Sequence, residues 1–297
     1  MNKMFCVVDL HAITLPQDPG ALRSGIREMT ASLLACGLDT DRCILFQQST
    51  VKEHSELCWI LGTLCTVPRL AQLTQYKDKS EKLKEVLLGL YLYPVLQSAD
   101  ILLYKATKIP VGEDNIQNIQ IAQYLCQKFN STYGTYFPRP EAVLPDNNTA
   151  RLRSLRNPEK KMSKSDPDPK SCIFINDSQD IIREKIKKSV TDTIKEITYD
   201  PENRPGVANL ILIYSSLTNQ TPDQVEQYII TNNINKVVLK EMVTSTLIEH
   251  LTPIREEMTR LLDDNMYLDS VLDKGRDSAQ SIASQTIKDV KRMVGLL

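Results

Sequence analysis

The sequence predicts an α/β domain built on a Rossmann-like parallel sheet, followed by an all-helical domain. Three observations predict it. Short apolar runs alternate with helical patterns through the first half of the chain. Residues 137–170 then shift to a composition rich in proline, asparagine and lysine. Beyond that stretch strand signals vanish and amphipathic helical segments follow one another. A chain of 297 residues accommodates two domains. The change of pattern puts their boundary near residue 170, with residues 1–170 forming the α/β domain and 171–297 the helical one.

Residues 4–8 are strand-like and lead into the polar Asp9, Leu10 and His11. Asp18-Pro19 reads as a helix start with proline just inside the first turn. Leu22, Ile26, Met29, Leu33 and Leu34 follow at helical spacing, and Cys36-Gly37 supplies the stop. Residues 43–46 form a second strand. Helices are expected at 53–64 and 68–74, joined by a charged connection at 75–84 to a helical segment at 93–104. Residues 108–111 form a short strand that runs into Gly112-Glu113-Asp114-Asn115. The helix after it carries Ile116, Ile119, Ala122, Leu125 or Cys126, and Phe129 on one face. In the second half, helices are expected at 181–190, 207–217, 222–230, 235–251, 254–262 and 279–294.

Composition narrows the function classes. The hydrophobic fraction is 41% and the charged fraction 25%, which excludes wholesale disorder. Net charge is −1, so a nucleic-acid partner must be held by local patches. The longest apolar run, residues 86–96, is broken by Gly89 and Pro94 and is too short to span a bilayer, so no membrane partner is expected. The seven cysteines (Cys6, Cys36, Cys43, Cys58, Cys65, Cys126, Cys172) include no C-x-x-C pair and read as small apolar residues in a reducing compartment. The three histidines (His11, His54, His250) have no metal-ligand spacing, and no metal site is expected. The chain enters its first strand without a signal or transit segment, as if it began inside a domain.

The most informative residues are Lys161, Met162, Ser163, Lys164 and Ser165, which spell KMSKS. Such a string arises by chance in roughly one in ten thousand chains of this length. Two ammonium groups three residues apart, with hydroxyls and backbone N–H groups between them, suit a loop that grips a polyphosphate. Gly112, Glu113 and Asp114 form a strand-to-helix turn. It either presents backbone N–H groups to a ligand above the sheet or is a plain helix start with acidic residues against the dipole. Asp100 lies between Ala99 and Ile101 in an apolar segment. A carboxylate facing a core needs a partner, such as an indole N–H or a lysine; otherwise Asp100 sits on the helix surface. Asp9 and His11 stand where open α/β sheets bind ligands, though turn and capping duties explain them equally well. Arg183, Lys185, Lys187 and Lys188 make one helix basic, as an RNA-facing patch or as a solvated face.

Taken in order, several segments resemble the tryptophanyl-tRNA synthetases of bacterial and mitochondrial type, members of class I. They are Val7-Val8-Asp9-Leu10-His11-Ala12-Ile13-Thr14, Tyr93-Pro94-Val95-Leu96, Ala99-Asp100-Ile101-Leu102-Leu103-Tyr104, residues 110–114, KMSKS-Asp166-Pro167, and Val190-Thr191-Asp192. The resemblance spans residues 5–297. It implies activation of L-tryptophan by ATP, used with Mg2+, and transfer to tRNA(Trp) by a homodimer with a helical anticodon-binding domain. It also implies roles for single residues. Lys161 and Lys164 stabilise the departing pyrophosphate, and Met162, Ser163 and Ser165 shape their loop. Gly112, Glu113 and Asp114 form the adenosine turn, and the Leu152 backbone meets adenine. Asp100 accepts the indole N–H in a pocket lined by Tyr93 and Gln97.

The sequence departs from the family pattern in three places. Asn115 replaces a glutamine. Gln97 replaces the methionine of bacterial members, which leans toward the organellar branch and a mitochondrial matrix location, with the bacterial cytoplasm as alternative. The family's first strand and its glycine-bearing HIGH-like signature would precede Met1. Without them the chain is expected to lack a central strand and half the phosphate site, and the 297-residue polypeptide alone is expected to form no adenylate. A non-catalytic tRNA-binding or regulatory form is therefore a second reading. Tyrosine specificity is a third, against which Asp100 argues.

Overall fold

The computed structural model describes residues 3–73, 87–144, 152–164 and 166–297. The first elements in chain order are β1 (Lys3–Val7), α1 (Asp9–Ala12), α2 (Pro19–Ala35), β2 (Cys43–Gln47), α3 (Glu53–Gly62) and α4 (Val67–Ala71). They are followed by α5 (Leu88–Leu102), β3 (Lys108–Pro110), α6 (Ile116–Tyr133) and β4 (Glu141–Val143). The remainder is helical: α7 (Gln179–Lys187), α8 (Pro205–Thr218), α9 (Pro222–Thr231), α10 (Lys236–Asp263) and α11 (Asn265–Met293). These elements form two compact units, one of Met1–Pro145 with Leu261–Leu297, the other of Asp146–Arg260.

That division differs from the boundary expected near residue 170 in two ways: the lysine loop falls in the second unit, and α11 returns to the first. This last helix packs across β2 and also touches α2 and α3, so it belongs to the α/β unit. Gly275, Ala279 and Ala283 recur every four residues and therefore share one helix face. All three are buried. A Cβ added at Gly275 would lie 1.7 Å from the carbonyl oxygen of Leu45 on β2, so the helix backbone meets the strand directly.

In the first unit β1 pairs with β2 in parallel, Met4 opposite Ile44 and Cys6 opposite Phe46. Strands β3 and β4 form a second parallel pair. Among the described residues the strands thus pair two by two. β4 was not anticipated, because three residues are too few to show a period of two. Helix α2 starts as expected: the Asp18 carboxylate accepts from the Ala21 N–H at 2.8 Å, and Pro19 occupies the first turn. Helix α5 begins five residues before the expected 93 and runs through Pro94. Its Val95, Ala99 and Leu102 join Phe46, Leu57, Leu61, Leu125 and Phe129 in the main core.

The second unit is built around Ile182, Ile186, Val207, Leu210, Ile211, Val225, Leu239 and Val243. Ser178 caps α7, and a reciprocal pair of hydrogen bonds between Thr221 and Gln224 caps α9. Residues 235–251 and 254–262, expected as two helices, are one helix through Pro253. An interior proline removes one backbone hydrogen bond at a cost of about 3 kcal/mol. Burial of Leu247 and Met258 on either side of it keeps α10 continuous. No helix of the described residues is long and apolar enough to cross a membrane.

The contact of α11 with β2 gives a prediction with an internal control. Gly275→Ala destabilises the protein by about 3 kcal/mol or more, because backbone must shift on both sides. Gly25→Ala, in α2 with nothing within 4 Å of the new methyl, stabilises by about 0.5–1 kcal/mol. Urea unfolding of the two variants beside the parent measures both signs.

Candidate active site

The C-terminal ends of β1 and β2 release two short polar segments, and these converge on Asp100 near the end of α5. The Asp100 side chain is 15% exposed. Its Oδ1 accepts from His54 Nδ1 at 2.6 Å and from Gln48 Nε2 at 2.7 Å. Its Oδ2 accepts from His11 Nε2 at 2.8 Å. A carboxylate only accepts, so each of those ring nitrogens carries its proton. Burial acts to raise the Asp100 pKa, but the bonds and charge of His11 and His54 more than offset it and hold the carboxyl below its ordinary value. The lysine offered as one partner is replaced by other protein donors. Two imidazoles and an amide already pair this carboxylate.

The donors are themselves held. Gln48 is buried, and its Oε1 accepts from the Leu10 N–H at 3.1 Å. His54 is buried on α3, and its Nε2 lies 2.8 Å from the Tyr104 hydroxyl. The Phe46 ring packs against both His54 and Tyr104. Asp9 is a second buried carboxylate at the end of β1. It accepts from the Ser49 N–H at 2.9 Å, from Gln47 Nε2 at 2.7 Å and from the Ser49 hydroxyl, which locks the turn that carries Gln48.

Tyr93 and Gln97 lie on the same helix as Asp100. Tyr93 is buried, and burial raises its phenol pKa against a hydrogen bond with Asn118. Asn118 Nδ2 donates to Gln97 Oε1 at 3.0 Å and lies 3.2 Å from Asn115 Oδ1. The turn at Gly112 is tight. A Cβ there would lie 2.6 Å from Asp114 Oδ1, so glycine lets that carboxylate fold back over the turn. Glu113 and Asp114 open a short 3-10 turn that leads into α6, where the helix dipole favours acidic residues.

The second unit holds the lysine loop. Arg153 and Lys161 form an antiparallel bridge, and the Met162 N–H donates to the Leu152 carbonyl at 2.8 Å. Leu152 and Met162, expected at one ligand, are thus backbone neighbours. Asn209 anchors this ribbon from α8 by accepting from the Arg153 N–H at 2.8 Å and donating to the Arg153 carbonyl at 3.0 Å. Lys161, Ser163 and Lys164 are exposed, and Met162 packs partly on the helical core. Ser165 lies outside the described residues. Nearby, Asp192 accepts from Arg204 at 2.8 and 2.9 Å and from Lys236 at 2.8 Å. Chiefly through Arg204, its carboxyl lies far below the usual range. Among the described residues no group of three or more acidic, histidine or cysteine side chains is placed to hold a metal ion.

A carboxylate fed by imidazole and amide donors at strand ends, a glycine-led acidic turn and an exposed lysine pair occur together in one chain. A family model described as tRNA synthetases class I (W and Y) matches residues 1–252. The chain belongs to that class I synthetase family. It is 42% identical to tryptophan–tRNA ligase 2 of Streptomyces avermitilis, over 100% of this chain and 88% of the relative. It is 41% identical to the mitochondrial tryptophan–tRNA ligase of Caenorhabditis elegans, over 99% of this chain and 81% of the relative. The crystal structure of tryptophanyl-tRNA synthetase from Campylobacter jejuni complexed with ADP and tryptophan is similar with a TM-score of 0.84 and 29% identity. That match covers 99% of this chain and 90% of the other.

In this class I chain, the residues expected for amino-acid recognition (Tyr93, Gln97 and Asp100) and those of the adenosine turn all lie in the first unit. The lysine loop lies in the second. Gln48, His54, Tyr104 and Asn118 went unread as site residues. The one signal for them was that Asp100 required donors, and their distance along the chain hid which residues supplied them.

The carboxylates also act on nearby thiols. Burial first, and then the charge of Asp100, push the Cys58 thiol up to about 11 and raise Cys6 as well. Thiolate is the reactive form. At pH 8 the exposed Cys36 is therefore labelled by a maleimide or by iodoacetamide at least about tenfold faster than the more buried Cys58 or Cys6. Peptide mass spectrometry after timed labelling measures the order.

Proposed function

We propose that this chain is a tryptophan–tRNA ligase, which activates L-tryptophan with ATP and transfers it to tRNA(Trp). The observation that carries this reading is the paired, partly open Asp100 carboxylate at the strand ends. It is held below its ordinary pKa in apolar surroundings. Such a group accepts an indole N–H, and it penalises phenylalanine, which would leave it facing a ring with no donor. Tyr93 and Gln97 line the same pocket. Gly112, Glu113 and Asp114 receive the adenosine, and the Leu152 backbone meets adenine.

ATP enters as its Mg2+ complex. The tryptophan carboxylate attacks the α-phosphate, forming the mixed anhydride and releasing pyrophosphate. The 2′- or 3′-hydroxyl of the terminal tRNA ribose then attacks the activated carbonyl and releases AMP. Both steps demand positioning and charge stabilisation more than proton transfer. Lys161 and Lys164 neutralise charge on the departing pyrophosphate, and Met162, Ser163 and Ser165 shape their loop. The helices of the second unit bind tRNA.

The reading includes a homodimer, supported by the large apolar side chains exposed on helices of the first unit. Trp59 is 77% exposed, with Val67 and Leu88 also in water. It also includes the mitochondrial matrix as compartment, which Gln97 favours, with the bacterial cytoplasm as the alternative.

Binding and turnover are tested separately. By calorimetry the chain binds L-tryptophan in preference to L-tyrosine and L-phenylalanine, and Asp100→Asn weakens tryptophan binding by about tenfold to a hundredfold. No preference for tryptophan would overturn the reading. Tryptophan-dependent exchange of pyrophosphate into ATP tests turnover. Where exchange occurs, Lys161→Ala or Lys164→Ala lowers it by about 10²–10³. Absence of exchange beside intact tryptophan binding would overturn the ligase reading and leave a tryptophan-binding protein.

A further inference from the structure

We propose that His54 is a positioning residue that acts through Asp100, with Tyr104 fixing its tautomer. The pair holds one carboxylate oxygen so that the other faces a ligand N–H. This rests on the tryptophan reading above and goes beyond it, because neither residue is required by a pocket that merely encloses an indole.

Asp100 is loaded unevenly. Oδ1 takes two donors, from His54 and Gln48, both on fully buried side chains. Oδ2 takes one, from His11, whose side chain is 19% exposed. Oδ1 has its lone pairs filled, whereas Oδ2, with one donor, retains acceptor capacity. Two converging donors on Oδ1 also stop the carboxylate from rotating about its last torsion, which is otherwise soft.

The tautomer of His54 matters to its role. Its Nδ1 must carry a proton, because a carboxylate cannot donate. In the neutral ring Nε2 is then an acceptor, and the Tyr104 hydroxyl, 2.8 Å away, donates to it. Burial raises the Tyr104 pKa, which keeps that phenol a donor. Phe46 packs on both rings and limits their reorientation. The chain Tyr104–His54–Asp100 therefore ends in a fixed carboxylate whose Oδ2 keeps acceptor capacity. Without the His54 donor, Oδ1 keeps only Gln48. The carboxylate is then free to turn, and the oxygen facing the ligand is no longer held as an acceptor.

The test is a ratio of dissociation constants, measured by calorimetry on the intact chain. The ligands are L-tryptophan and 3-benzothienyl-L-alanine, an isostere with sulfur in place of the ring N–H. His54→Leu is expected to reduce the preference for tryptophan over the isostere about tenfold by weakening tryptophan alone. His54→Asn, whose amide can place an N–H near the Nδ1 position, restores most of the preference. Tyr104→Phe, which removes only a hydroxyl, lowers it about threefold. A purely structural role would weaken both ligands alike. An unchanged ratio in folded His54→Leu, or in Tyr104→Phe should the first variant not fold, overturns the proposal. A parent protein that binds both ligands equally would overturn the tryptophan reading itself and this proposal with it.

Discussion

The first unit is organised around one requirement: a carboxylate placed in an apolar setting must be supplied with donors or it will not stay ionised. Asp100 meets that requirement by drawing on three other segments. His11 comes from the short helix after β1, Gln48 from the turn after β2, and His54 from α3. Each of these segments is where it is because β1 and β2 end at the same level, in the parallel register that sets Val7 opposite Gln47. The packing of α11 against β2 supports that register from below, with Gly275 allowing contact between backbones. The geometry of one acid thus depends on strand pairing and on the last helix of the chain.

Asp9 plays a different part with the same chemistry. All of its assigned donors are local to the strand ends: backbone N–H groups of Leu10 and Ser49, the Ser49 hydroxyl and the Gln47 amide. It is satisfied internally and fixes the turn that carries Gln48. Asp100 also receives three donors, but only one of them reaches Oδ2. Of these two acids, one is satisfied by donors at the strand ends and the other keeps an oxygen with acceptor capacity. The difference lies in how completely their lone pairs are filled.

What could be read from the sequence was whatever is encoded locally. KMSKS is contiguous, so its chemistry was legible at once, as was the glycine-led turn at Gly112. The amphipathic periodicity of α2, α6 and α8 likewise gave their positions. Asp100 stood out because an acid between Ala99 and Ile101 is costly, yet its donors lie 89, 52 and 46 residues away along the chain. No periodicity or spacing rule spans such separations, so the need was visible and the suppliers were not. The return of α11 to the first unit was hidden for a related reason. Its small residues look like ordinary helix formers until a strand is placed against them. β4 failed on length, and the continuity of α10 failed because propensity at Pro253 was outweighed by burial on both sides.

Gln97 and Asn115 look independent along the chain but touch the same side chain. Asn118 donates to Gln97 Oε1 and shares that amide nitrogen with Asn115 Oδ1. A methionine at 97 would offer only a weak thioether acceptor, leaving the buried Asn118 amide short of a partner. A glutamine at 115 would be one methylene longer than the gap that Asn118 now bridges. Gln97 supplies the acceptor and Asn115 the shorter reach, and Asn118 joins helix α5 to the turn before α6. The two side chains are therefore parts of one hydrogen-bonded arrangement. It keeps the Tyr93–Gln97 side of the pocket tied to the turn expected to receive adenosine.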